Sequence, residues 1–159
     1  TTNFLHGIPH FCISIALKSY GEIICGLIYD PIKDEMFYAE KNNGAYFNNQ
    51  RIRVSKKKDL ENCVFATGGN TNKSKILEAN MTIRETGSAA LDMAYVAAGR
   101  FDGFFQNNLN LWDIAAGIIL VKEAGGVMNE IDLTKHKDLN VIASSTDIRG
   151  KLMKELVNF

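Results

Sequence analysis

Three strings of residues in this sequence have types and spacings that could do chemistry. The first is Trp112-Asp113-Ile114-Ala115-Ala116-Gly117, followed by Glu123-Ala124-Gly125-Gly126. An Asp opening an apolar helix accepts backbone N–H bonds and suits the positive end of the macrodipole, so Asp113 reads as an N-cap. The second is Thr1-Thr2-Asn3-Phe4. A hydroxyl there can orient an attacking water, and the free amides of an opening helix can hold phosphate oxygens; a simple cap is the alternative. The third is Gly87-Ser88-Ala89-Ala90-Leu91-Asp92-Met93, with Ala97-Ala98-Gly99 behind it. Such a helix start exposes unpaired amides and a hydroxyl with no bulky side chain, and its small residues serve close helix packing equally well.

Other candidates carry less. Asp30-Pro31-Ile32-Lys33-Asp34 reads as a hairpin turn between two strands. His6 and His10 have the i, i+4 spacing of a zinc pair, but Gly7 and Pro9 between them spoil the helix that spacing needs. His136 lies in a Lys-rich loop, and Lys56-Lys57-Lys58 is too short for an interaction tail and reads as solvated. There is no Ser/His/Asp arrangement and no Gly-x-Gly-x-x-Gly.

These strings must be held by elements of two textures. In residues 11–18, Phe11, Ile13, Ile15 and Leu17 alternate with Cys12, Ser14, Ala16 and Lys18, the period of a half-buried strand. Strands are also expected over 23–29, 36–40, 45–47 and 52–54. Turns at Tyr20-Gly21, Asp30-Pro31, Asn42-Asn43-Gly44 and Asn48-Asn49 make the series an antiparallel meander. Beyond about residue 58, strands at 63–67, 101–105, 127–128 and 141–144 interleave with helices. A stub is expected at 75–80, a small-residue helix at 88–98 closed by Gly99, and an apolar helix at 113–124 stopped by Gly125-Gly126. Ile148, Leu152 and Leu156 mark the inner face of a closing helix. Segregated strands followed by an interleaved half give a layered α/β, or mixed α+β, fold. Residues 1–58 read as part of an N-terminal sheet region and 59–159 as a C-terminal α/β half of one globular unit.

The 159 residues suffice for one domain or a large piece of one, and 46% of them are hydrophobic. Eighteen basic residues cancel eighteen acidic ones, which argues against a nucleic-acid or membrane surface. Cys12, Cys25 and Cys63 are odd in number and sit among apolar neighbours, as reduced core thiols of a cytoplasmic protein would. The chain opens on Thr1 rather than Met, so processing, truncation or a longer parent chain is expected.

The three strings together resemble the inositol monophosphatase family, from Thr1 to Phe159. The Trp-Asp string is similar to that family's C-terminal signature. Thr1-Thr2-Asn3-Phe4 matches the last four positions of its Asp-Pro-x-Asp-Gly-Thr-Thr-Asn-Phe motif. The resemblance implies the C-terminal part of a layered α-β-α-β-α sandwich, a cytoplasmic homodimer, and Mg²⁺-dependent hydrolysis of inositol monophosphate or a similar polyol phosphate, inhibited by Li⁺. By resemblance Asp113 binds Mg²⁺ and touches the substrate hydroxyl beside the phosphate, Thr1 helps activate the nucleophilic water, and Gly87, Ser88 and Ala89 lie along the polyol ring. Gln106 departs from the pattern, because the family carries a Glu there that bonds substrate hydroxyls; stretch 69–86 is also shorter than usual. The family's other carboxylate ligands precede Thr1 in its motif, so this chain alone is expected to lack most of the metal site and to be inactive. Rival readings are a phosphatase for fructose bisphosphate or nucleotide 3′-phosphates, which would carry extra basic residues, and a non-catalytic remnant or interaction module.

Overall fold

Short apolar runs divided by Asn- and Gly-bearing turns build the first sheet. In the computed structural model, which describes residues 1–69 and 81–156, β1 (Ile13–Ser19), β2 (Glu22–Asp30), β3 (Glu35–Glu40), β4 (Gly44–Phe47) and β5 (Gln50–Ile52) pair in sequence order. Every neighbour is antiparallel, so the expected meander forms. Its tight turns hold Asp34, Asn42, Asn48 and Asn49 at positive φ, where Asn and Asp carry less strain than other side chains.

The second sheet is mixed, in the order β7-β6-β8-β10-β9, formed by β6 (Val64–Ala66), β7 (Thr82–Arg84), β8 (Gly103–Leu109), β9 (Gly126–Met128) and β10 (Leu139–Ser145). β6 runs parallel to β7 and β8, while β10 is antiparallel to β8 and β9. The described helices are α1 (Thr2–Leu5), α2 (Ala89–Ala97), α3 (Leu111–Glu123) and α4 (Thr146–Glu155). The stub expected at 75–80 lies outside the described residues.

Strand alternation sorts the second sheet's side chains between two cores. Phe104, Val141 and Ala143 join the main core with α2, α3 and the inner face of the first sheet. Phe65, Phe105 and Ile142 turn the other way, onto Ile148, Leu152 and Leu156 of the closing helix. The layers are therefore sheet, helix pair, sheet, helix. Arg100, just past α2, locks the helix pair to the first sheet with a fork of two 2.8 Å bonds to Glu35 and a guanidinium 4.8 Å above the Phe47 ring.

One expectation about the sheets needs correcting. Ile13, Ile15 and Leu17 were expected on the covered side of β1, yet each is more than half exposed. The opposite face, with Ser14, Ala16 and Lys18, turns toward α3. Lys57 is exposed, as a solvated run would be, but its Nζ also lies 2.9 Å from Asp102, whose side chain is 2% exposed. β7 carried no strand expectation at all, because three residues held by parallel pairing leave no periodic trace.

Two glycines set how closely the layers approach. A Cβ on Gly26 of β2 would lie 2.8 Å from the Ala116 carbonyl of α3, and one on Gly117 would lie 2.7 Å from Met93 Cβ in α2. Neither contact can open without moving backbone, since the obstructing atoms are main chain or a helical Cβ. Gly117→Ala is therefore expected to cost about 2 kcal/mol despite the better helix propensity of Ala. Thermal unfolding followed by circular dichroism should show Tm lowered by roughly 4–8 °C; an unchanged or raised Tm would mean that α2 and α3 are free to separate.

Candidate active site

One cleft of about 580 Å³ opens where four separate segments meet: Thr1, residues 10–12 with Ser14, residues 87–90 at the start of α2, and Trp112 and Asp113 at the start of α3. Gly68, Gly69, Gln106 and Leu109 close its remaining side. All six residues singled out in the sequence, Thr1, Gly87, Ser88, Ala89, Gln106 and Asp113, line it.

Asn3 joins two of these segments. Its Nδ2 donates to the carbonyl of His10 at 2.8 Å and to that of Thr86 at 2.9 Å. Gly87, at φ +83°, follows directly, and a Cβ there would press on the Asn3 amide at 3.0 Å. Ser88 is the N-cap of α2; its Oγ accepts a long bond from Leu91 N at 3.5 Å and lies 3.7 Å from Cys12 Sγ. On the opposite wall, Gln106 Oε1 comes so near Gly68 that a Cβ there would be 2.8 Å away.

Asp113 is not the N-cap of its helix. Asn110 holds that position, and Asp113, three residues on, reaches back so that its Oδ2 accepts from Asn110 N at 3.0 Å. Asn110 is itself a good cap, and it moves the helix start upstream of the acid. The cap bond leaves Asp113 at the rim of the cleft with one carboxylate oxygen committed to the backbone.

Sequence reasoning overlooked His10, Cys12 and Ser14 as cleft residues, though one signal was present. They recur at every second position, so they share one side of an extended segment. Burial lowers the His10 pKa, helped by the nearby Lys33 ammonium, and burial raises that of Cys12. Asp30, read as a turn residue, is one: its Oδ1 accepts from Ile32 N at 2.9 Å and Lys33 N at 3.2 Å. Beneath the cleft lies Asp92, 1% exposed, its Oδ1 accepting from Thr86 Oγ1 at 2.7 Å. Burial pushes its pKa up to about 7, against the opposing effect of the Thr86 bond.

The resemblance implies Mg²⁺, which would need several oxygen ligands converging on the cleft. Among the described residues no three His, Cys, Asp or Glu side chains come together, and Asp113 is the one carboxylate on the cleft. Mg²⁺ demands a near-octahedral oxygen shell. These residues offer a single ligand position and do not complete a site.

The family profile described as "Inositol monophosphatase family" matches residues 1–158. The chain belongs to that family. It is 48% identical over 137 residues to the inositol-1-monophosphatase of Rhizobium meliloti, covering 79% of this chain and 52% of the relative. A Thermotoga maritima protein named "Fructose-1,6-bisphosphatase/inositol-1-monophosphatase" is 47% identical over 135 residues, covering 82% of this chain and 53% of that one. The solved extragenic suppressor protein suhB of Bartonella henselae superposes with a TM-score of 0.88 at 50% identity, covering 98% of this chain and 68% of that one. The chain thus spans about half the length of these two curated relatives.

Asp92 gives stability a pH dependence. Its folded pKa is raised, so the neutral carboxyl stabilises fully below the unfolded value near 4, and that stability drains away as pH climbs to about 7. The loss is on the order of a few kcal/mol. Urea unfolding of the wild type at a series of pH values should show this decline, and Asp92→Asn should flatten it. A stability difference between wild type and Asp92→Asn that stays constant between pH 4 and 7 would contradict a neutral buried Asp92.

Proposed function

We propose that the cleft holds a small phosphorylated polyol, inositol monophosphate foremost, for Mg²⁺-dependent hydrolysis of its phosphomonoester to alcohol and phosphate. The supporting observation is the convergence of Thr1, Gly87, Ser88, Ala89, Gln106 and Asp113 on one cleft, from segments far apart in sequence. The Gly87–Ala89 wall offers small residues and a hydroxyl to the polyol ring. Gln106 adds an amide that both donates and accepts. Thr1 Oγ1 orients the attacking water, and Asp113 accepts from the hydroxyl beside the phosphate.

Asp113 would also be one ligand of Mg²⁺, a cation that when bound neutralises charge on the phosphate and the departing oxygen; Li⁺ inhibition is part of the same reading. With one carboxylate on the described cleft, the 159-residue chain by itself is expected to bind substrate without turning it over, the hydrolytic roles of Thr1 and Asp113 requiring further metal ligands beside them. The name of the Thermotoga relative supports a second reading, a sugar bisphosphate. The described lining holds no Lys or Arg to receive a second phosphate, which favours the monophosphate.

Isothermal titration with inositol 1-phosphate and Mg²⁺ tests the reading. The chain should bind but release phosphate no faster than buffer, and Asp113→Asn should weaken binding. Gln106→Glu should tighten inositol 1-phosphate about fivefold, since a charged acceptor is worth ~1 kcal/mol more than a neutral one. Affinity for glycerol 2-phosphate should stay put. Wild-type affinity in Asp113→Asn would reduce that residue to a helix cap, and equal responses of both ligands to Gln106→Glu would remove Gln106 from the polyol.

A further inference from the structure

The cleft wall at Gly87 and Ser88 is shaped by groups that do not touch the cleft. Ser88 N donates to Thr86 Oγ1 at 3.3 Å, and Thr86 Oγ1 donates in turn to Asp92 Oδ1 at 2.7 Å. Asp92 N closes the loop by donating to the Ser88 carbonyl at 2.9 Å. Neither Thr86 nor Asp92 lines the cleft, while Gly87 and Ser88 both do.

We propose that Asp92 is a positioning residue of this site: acting through the Thr86 hydroxyl, its carboxyl fixes the Ser88 amide and so the Gly87–Ser88 wall against which substrate is held. The hydroxyl is the only group that makes both bonds, one as acceptor and one as donor. Hydrogen bonds in such a chain polarise one another, and more so away from water. Asp92 is nearly fully buried, so its end of the chain is dry. Asn3 anchors the other side of Thr86 by its carbonyl. Fixed at both carbonyl and hydroxyl, Thr86 leaves the next two residues little freedom.

The state of Asp92 should therefore be readable at Ser88. Its ionisation near neutrality is set by burial and by Thr86. Of the elements packed on α2, β8 and β10 carry no ionisable side chain, and α3 brings Asp113 at its start with Lys122 and Glu123 at its far end. β2 brings Asp30, already committed to Lys33, and carries Tyr29, Cys25 and Glu22 further along the strand. Residues 10–12 bring His10 and Cys12, whose pKa values move away from neutrality in opposite directions. A charged carboxylate accepts more strongly from Thr86 than a neutral acid does, so the Ser88 amide should feel the change through one intervening oxygen.

The test is a ¹H–¹⁵N titration of the Ser88 amide in the full chain, which needs no substrate. In the wild type it should move through one transition near pH 7 that survives His10→Asn and Cys12→Ser and vanishes in Asp92→Asn. Thr86→Val should abolish the transition and Thr86→Ser keep it; should the valine variant fail to fold, Asp92→Asn and the serine variant decide. A Ser88 amide that does not titrate, or that titrates alike in Thr86→Val, would overturn the proposal. Affinity forms a second arm, resting on the function proposed above. Thr86→Val should weaken inositol 1-phosphate roughly fivefold, Thr86→Ser should restore it, and adding Asp92→Asn to Thr86→Val should bring no further loss. Additive losses would count against the relay. Absence of binding by the wild type would sink the functional reading while leaving the amide titration to judge the relay.

Discussion

The closeness of α3 to what surrounds it governs this structure. The helix is pressed between β2 and α2 at distances that only glycine permits, at Gly26 on one side and Gly117 on the other. Seven of its residues are buried, so it can neither rotate nor slide without exposing apolar area or driving a Cβ into a neighbour. Its first turn is thereby fixed relative to the first turn of α2. The two helix starts are two walls of the cleft, so the layer spacing and the site geometry are one constraint.

The rest of the cleft is joined by polar side chains bonding to backbone. Asn3 ties the segment after α1 to the loop before α2, and Thr67 Oγ1 donates to the Phe105 carbonyl at 2.6 Å beside Gly68 and Gln106. Such bonds are directional, and a buried partner left unmatched costs more than the bond itself contributes. In the described lining the electrostatic result is one acid, Asp113, and no Lys or Arg.

Local signals in the sequence were legible and long-range ones were not. The meander could be read because Asn-Gly turns write their strained φ angles into residue choice, and α2 because Ser88 and Gly99 bound it. In sequence Asp113 and Asn110 are both capping types, and only the backbone decides between them. The alternation in β1 revealed two faces but could not say which one α3 would cover. Gly87, Ser88, Ala89, Gln106, Thr1 and Asp113 were picked out by family resemblance, but nothing in their spacing places them on one cleft. Asp92 looked like one more helix residue; its burial beneath Thr86 is a product of tertiary packing alone.

Under the proposed function, these scattered residues act as one binding site for a phosphorylated polyol. A crystal structure of the chain grown with Mg²⁺ and inositol 1-phosphate tests it most directly. The cyclitol ring should lie against Gly87, Ser88 and Ala89, with Gln106 and Asp113 bonded to its hydroxyls. Density for the ligand elsewhere on the molecule, with this cleft filled only by water, would contradict it.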